Sequence, residues 1–254
     1  LSTIRFDRSV LLATNINNID IDPTTTQRIG LKAEYVYDNA TPIDINRYVG
    51  TRAKVYIEAL KKMQIEVIDN WNIDFAKGFM TVLGYDARQY IGLDKRTILA
   101  LRSAGATSFG SEKILFFLGG VDNWLAPQYD EDTPTPSDGN YAFYALGAHL
   151  RGFKQNIRNG SSYLLFNTEL RVPVFQYFSN KEIRSNFLRT FQVVGFFDAG
   201  TAWFGRNPFD QRSPLNTTSV SNTKVTIDLI YARDPLVLGY GAGLHMSLMG
   251  YQIR

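Results

Sequence analysis

The sequence predicts an all-β protein built as an antiparallel transmembrane β-barrel. Three observations lead there. Apolar and polar residues alternate with a period of two over segments of ten or more residues, longer than the ~5–6 residues usual for soluble strands and near the ~9–11 of a membrane-crossing strand. No run of about 18 apolar residues offers a transmembrane helix. Connections alternate between tight turns, such as 109–113 and 248–252, and long Pro-, Ser-, Asn- and Asp-rich loops, 124–140 and 204–222, the habit of outer-membrane barrels.

The first strands lie near 3–14, 28–38 and 50–66. Within 29–37, Ile29, Leu31, Ala33, Tyr35 and Tyr37 oppose Lys32 and Glu34. Segment 54–63 has helical propensity, yet Val55, Ile57 and Ala59 alternate with Lys54, Tyr56 and Glu58, so a strand fits better. Further strands are expected near 73–86, 96–109 and 113–118. In the strand near 161–175, Leu164, Phe166, Thr168, Leu170, Val172 and Val174 oppose Asn167, Glu169 and Arg171. Along 190–204, Gln192, Phe196, Asp198 and Gly200 share one face, and Val193, Phe197, Thr201 and Trp203 the other. In 237–248, Leu238, Tyr240, Ala242, Leu244, Met246 and Leu248 oppose Gly239, Gly241, Gly243, His245 and Ser247. A last strand starts at 251, and 178–189 reads as a charged turn of medium length. Tyr35, Tyr37, Tyr85, Tyr90, Trp124 and Trp203 suit interfacial aromatic girdles. About nine or ten strands that stop short of closure imply a piece of a larger barrel, because unpaired edges are costly in lipid.

Composition narrows the function classes. The 254 residues carry a net charge of +3 and no cysteine. Disulfides and thiolate metal sites are therefore excluded. No concentrated basic stripe is present, so no nucleic-acid partner is expected. The start at Leu1, without an initiator Met, suggests a mature or partial chain.

Four motifs occur in order: a strand ending in Gly119-Gly120, then Leu150-Arg151-Gly152-Phe153, then Asn167-Thr168-Glu169-Leu170-Arg171-Val172-Pro173, then Phe196-Phe197-Asp198-Ala199-Gly200. Together they resemble the C-terminal barrel of the BamA/TamA/FhaC superfamily, the bacterial surface antigen family. The likeness covers roughly 95–254; earlier strands match only in rhythm. One departure is the longer spacer, 121–149, between Gly-Gly and Arg151. The resemblance implies an incomplete barrel of about nine or ten of sixteen strands across 1–254, lacking the final strand and the N-terminal periplasmic domains. It implies that 119–160 folds into the lumen and that Arg151 meets Asp198. The face pattern of 190–204 independently turns Asp198 inward if Phe197 faces lipid, and an inward carboxylate wants a two-pronged guanidinium partner. Phe153 and Phe196 are expected to stack beside that pair. Gly152 would let the loop approach the wall, and Gly239, Gly241 and Gly243 would thin the wall opposite.

The expected function is insertion of outer-membrane proteins or passage of polypeptide across the bacterial outer membrane. The implied partners are unfolded outer-membrane or secreted polypeptides, periplasmic or lipoprotein accessory subunits, and lipid or lipopolysaccharide. No cofactor and no enzymatic activity are expected. The alternative is a passive transport barrel, or a barrel anchor for a soluble domain outside 1–254; a soluble lectin-like β domain is a third option. His149 and His245 lack a G-x-S-x-G partner or further metal ligands, and His245 reads as an inward polar residue. Asp122, Asp130–Asp132 and Asp138 lack EF-hand spacing and read as a solvated acidic loop. The sequons at Asn159 and Asn216 carry little meaning in a bacterial protein.

Overall fold

The computed structural model describes residues 2–10, 25–44, 46–68, 70–74, 78–121, 126–135, 140–179, 182–210, 218–222, 225–229, 233–248 and 251–253. The strands are β1 (Ser2–Val10), β2 (Thr25–Asp38), β3 (Thr41–Asp44), β4 (Arg47–Ile68), β5 (Asn70–Asp74), β6 (Phe79–Gly92), β7 (Ile98–Gly110), β8 (Lys113–Leu118), β9 (Tyr141–Ala148), β10 (Arg158–Gly160), β11 (Ser162–Val172), β12 (Gln192–Trp203), β13 (Thr218–Asn222), β14 (Val225–Leu229), β15 (Val237–Leu248) and β16 (Tyr251–Ile253). Two short helices, α1 (Val174–Phe178) and α2 (Asn186–Thr190), join β11 to β12. No helix among the described residues is long and apolar enough to cross a membrane.

The main sheet is antiparallel, in the order β1–β2–β4–β6–β7–β11–β12–β15–β16, with β3 and β5 pairing onto β4. It is an open wall with β1 and β16 at its two edges, and it does not close on itself. Its faces are inverted relative to a soluble sheet. Leu31, Tyr35, Val55, Ile57, Leu83, Leu164, Phe166, Phe197, Leu238 and Leu244 are exposed, while Glu58, Ser108, Gln192 and Asp198 are buried. The period-two pattern therefore turns the apolar face outward as expected, while the inner face mixes these polar residues with buried Leu60, Met80, Val82, Leu165 and Val194. Tyr35 and Tyr37 lie on the exposed face, but Tyr90 turns inward and packs on Tyr48, 5.7 Å between ring centroids. Thr201 is also buried, against its outward assignment. Trp124 lies outside the described residues.

The wall is strongly curved. Asn46, in the turn between β3 and β4, accepts a hydrogen bond from Arg171 of β11 at its carbonyl, 2.8 Å, and its Nδ2 lies 3.2 Å from His245 Nδ1 on β15. β15 is five strand positions from β4, about 24 Å across a flat sheet. One amide bridges that gap because the sheet curls and the β3–β4 hairpin folds across its inner side.

The described residues of 113–160 leave the wall. The expectation of 113–118 as a wall strand is corrected: β8 belongs to a separate sheet ordered β10–β8–β9, and β11 takes the place beside β7. Segment 141–148, read as loop, is β9 and pairs parallel with β8. Gly119 and Gly120 have φ of +122° and +74°, and a Cβ on Gly119 would collide with the Lys154 carbonyl. Only glycine permits this turn at the end of β8. The apolar core lies between the inserted sheet and the inner wall: Phe116, Leu118, Ala148 and Leu150 pack on Tyr163, Leu165 and Ala202.

Three further expectations change. Segment 73–86 divides into β5, the outer arm of a hairpin with β4, and β6 in the wall. The strand expected near 161–175 stops at Val172, because Pro173 cannot donate to a ladder; Val174 opens α1, and the charged turn 178–189 that follows contains most of α2. The long loop 204–222 ends in β13, which forms a hairpin with β14.

Candidate functional site

The site forms where the inserted segment meets β11, β12 and β15. Pairing sets Asn167, Asp198 and Gly239 in one row, and Glu169, Phe196 and Gly241 in the next. Both rows lie on the inner face, and the inserted segment crosses above them. Leu150 is fully buried and anchors that crossing: it bridges to Gly120, and its side chain fills the space a Cβ on Gly200 would need.

Arg151 follows directly. Its Nε donates to Asp198 Oδ2 at 2.7 Å and its Nη2 to Asp198 Oδ1 at 2.6 Å. This is the two-pronged contact that matches a guanidinium fork to a carboxylate. The Arg151 backbone N–H adds a third bond to Oδ2, 3.1 Å. Arg151 Nη1 donates to Glu169, which also accepts from Arg171 Nε at 2.9 Å and Nη2 at 2.6 Å. The Arg151 guanidinium lies 4.1 Å from the Phe196 ring centroid, a cation–π contact. Two cations and two anions thus balance in one network. Burial disfavours the Arg151 charge, but the Asp198 and Glu169 carboxylates outweigh it and hold its pKa above the ordinary value.

The remaining motif residues divide by role. Gly152 has φ of +89° with nothing within 4 Å of a Cβ, so its glycine serves the backbone turn and not a close approach to the wall. A Cβ on Gly239 would collide with the Arg151 carbonyl, and one on Gly241 would sit 2.8 Å from the Phe196 ring. Gly243 has open space, which corrects its assignment as a thinned position. Phe153 does not stack on Phe196. Its ring would lie 3.2 Å from a Cβ at Gly239, while Phe196 lies beneath Arg151.

Glu169 and Arg171 were legible as inward residues but not as partners of Arg151. Their convergence depends on the β11–β12 register and on where the inserted segment crosses. His149 and His245 both line a cavity of about 450 Å³ beside the network, together with Arg88, Arg102, Arg151, Asn167, Glu169 and Arg171. Among the described residues no cluster of three or more His, Asp or Glu side chains is placed to hold a metal. Asp130 uses its carboxylate within its own turn, accepting from Asp132 N at 3.2 Å and Thr133 Oγ1 at 2.7 Å. Asp122, Asp138 and Asn216 lie outside the described residues.

A second polar cluster ties the turn between β6 and β7 to α1. Asp94 Oδ2 accepts from the Tyr177 hydroxyl at 2.5 Å, and its Oδ1 accepts from the backbone N–H groups of Arg96 and Thr97, each at 2.6 Å. These bonds, led by that from Tyr177, hold the Asp94 pKa down at about 2. Arg47, which is buried, donates to Asp44 at 2.7 Å, to Gln176 Oε1 at 3.0 Å and to the Arg96 carbonyl at 2.8 Å. The β3–β4 hairpin, the β6–β7 turn and α1 are thereby held together at one end of the wall.

No family model matches this chain, and no curated protein matches it.

Proposed function

We propose that the chain is the wall of a β-barrel of the bacterial outer membrane, with residues 113–160 tucked into its lumen, and that it helps insert or translocate polypeptides. The observation that carries this reading is the Arg151–Asp198 pin inside a sheet whose apolar face points outward. Lipid is the solvent that rewards such a face, since charged groups there cost ~2–4 kcal/mol for Arg or Lys near mid-membrane. An inward carboxylate tied to an inward-folded segment suits a device that keeps lumen contents in place while the wall opens.

The action is physical and involves no covalent chemistry. In the whole barrel a weakly paired seam between first and last strands would open, and edge strands with unpaired backbone groups can template an incoming strand. The pin would hold the inserted segment during such an opening. The test is charge reversal at each member, Asp198→Arg and Arg151→Asp, then both together. Each single change should impair assembly or secretion of client polypeptide in a bacterial host, and the double should recover part of it. An Asp198→Arg protein that works normally ends the pin argument. Extraction into buffer without detergent would end the membrane argument.

A further inference from the structure

The inner face carries an arrangement that the Arg151 network does not explain. Pairing sets Arg52 of β4, Arg88 of β6 and Arg102 of β7 directly opposite one another, in one row across three neighbouring strands. Opposed side chains in a sheet stand about 4.5–5.5 Å apart at Cβ, and like charges at that spacing are destabilising. Arg52 is matched by Asp38, 2.9 Å away. Arg88 and Arg102 share a single carboxylate: Asp86 accepts from Nε and Nη2 of both, at 2.9 and 3.0 Å from Arg88 and at 3.3 and 2.9 Å from Arg102. Among the described residues, one positive charge of that pair is left over. Asn167 continues the row on β11 and adds carboxamide donors. Arg88, Arg102 and Asn167 all line the cavity of about 450 Å³, where the Arg151–Arg171 pair is already balanced by Asp198 and Glu169.

We infer that this cavity binds a phosphate-type oxyanion between Arg88, Arg102 and Asn167. Asp86 uses Nε and Nη2 of each guanidinium, so phosphate oxygens would accept charge-assisted hydrogen bonds from the Nη1 side, and the two arginines opposed across a strand pair supply the positive charge that Asp86 does not match. The group could be free phosphate or the phosphate of a lipid headgroup; the recognition chemistry is the same. The inference rests on register and charge, and does not depend on the membrane reading.

The experiment uses the full chain in a neutral detergent. Equilibrium dialysis against radiolabelled orthophosphate is one arm. The other is binding of labelled phosphatidylglycerol, with diacylglycerol, which carries no phosphate, as the control, in mixed micelles. Saturable binding of either probe is expected, and the arm that shows it names the source. Arg102→Gln and Arg88→Gln should each weaken binding about tenfold, the loss of a charge-assisted hydrogen bond. Asp86→Asn should tighten it, because it removes the competing anion; a variant that merely misfolds would bind less. Arg52→Gln, outside the cavity lining, should change affinity less than about threefold. Absence of saturable binding in both arms overturns the inference. So does binding that ignores Arg102→Gln, or that falls in Asp86→Asn.

Discussion

Removing the two ends of the Arg151–Asp198 pair should have unequal costs, and the structure sets which is larger. Arg151→Ala deletes two of the three hydrogen bonds to Asp198 and leaves a fully buried carboxylate with only a backbone N–H. Breaking a buried pair in this way costs about 3–5 kcal/mol. Asp198→Ala leaves a guanidinium that is 19% exposed, still bonded to Glu169 and still over the Phe196 ring. Its loss should be nearer 1–3 kcal/mol, roughly one unsatisfied charged donor set with a remaining partner. The double variant should cost less than the sum, with a coupling of about 2 kcal/mol. Arg151→Lys keeps the charge but loses the fork and should fall between wild type and Arg151→Ala. Urea unfolding of the protein refolded into detergent, followed by tryptophan fluorescence, gives the four corners of the cycle. If Asp198→Ala costs as much as Arg151→Ala, or if the two effects add within about 0.5 kcal/mol, the pair is not coupled as its geometry requires.

Gly239→Ala should destabilise by about 1–3 kcal/mol, since its Cβ meets the Arg151 carbonyl, whereas Gly243→Ala has open space and should stay within about 0.5 kcal/mol; the same unfolding assay ranks them. Phe166→Arg, on the exposed face of β11, should cost ~2–4 kcal/mol in folding into lipid vesicles, and a change near zero would place that face in water. The Asp94 turn should hold at pH 4 and loosen toward pH 2. Its folded pKa of about 2 lies below the unfolded value near 3.9, so the stabilisation is present above about pH 4 and lost as pH falls through 2. Amide exchange at Arg96 and Thr97, whose N–H groups bond Asp94, reports this, and Asp94→Asn should make their protection independent of pH over that window.

The alternation of residues along 29–37, 162–172 and 237–248 determined by itself that these segments are strands and which of their faces is apolar. A pleated strand has a side-chain period of two whatever it packs against, so this information is local. The same logic turned Asp198 inward from its neighbours Phe196 and Phe197. Only the tertiary structure decided that 113–118 leaves the wall, that 141–148 is its parallel partner, and that β7 pairs with β11 across the insertion. Those are choices among distant strands of similar pattern, and no local period distinguishes them. The same holds for Glu169 and Arg171 meeting Arg151, for Asn46 reaching His245, and for the row of Arg52, Arg88 and Arg102. Each requires a register between segments far apart in the chain, and register is settled by the summed contacts of whole strands rather than by the residues that end up facing one another.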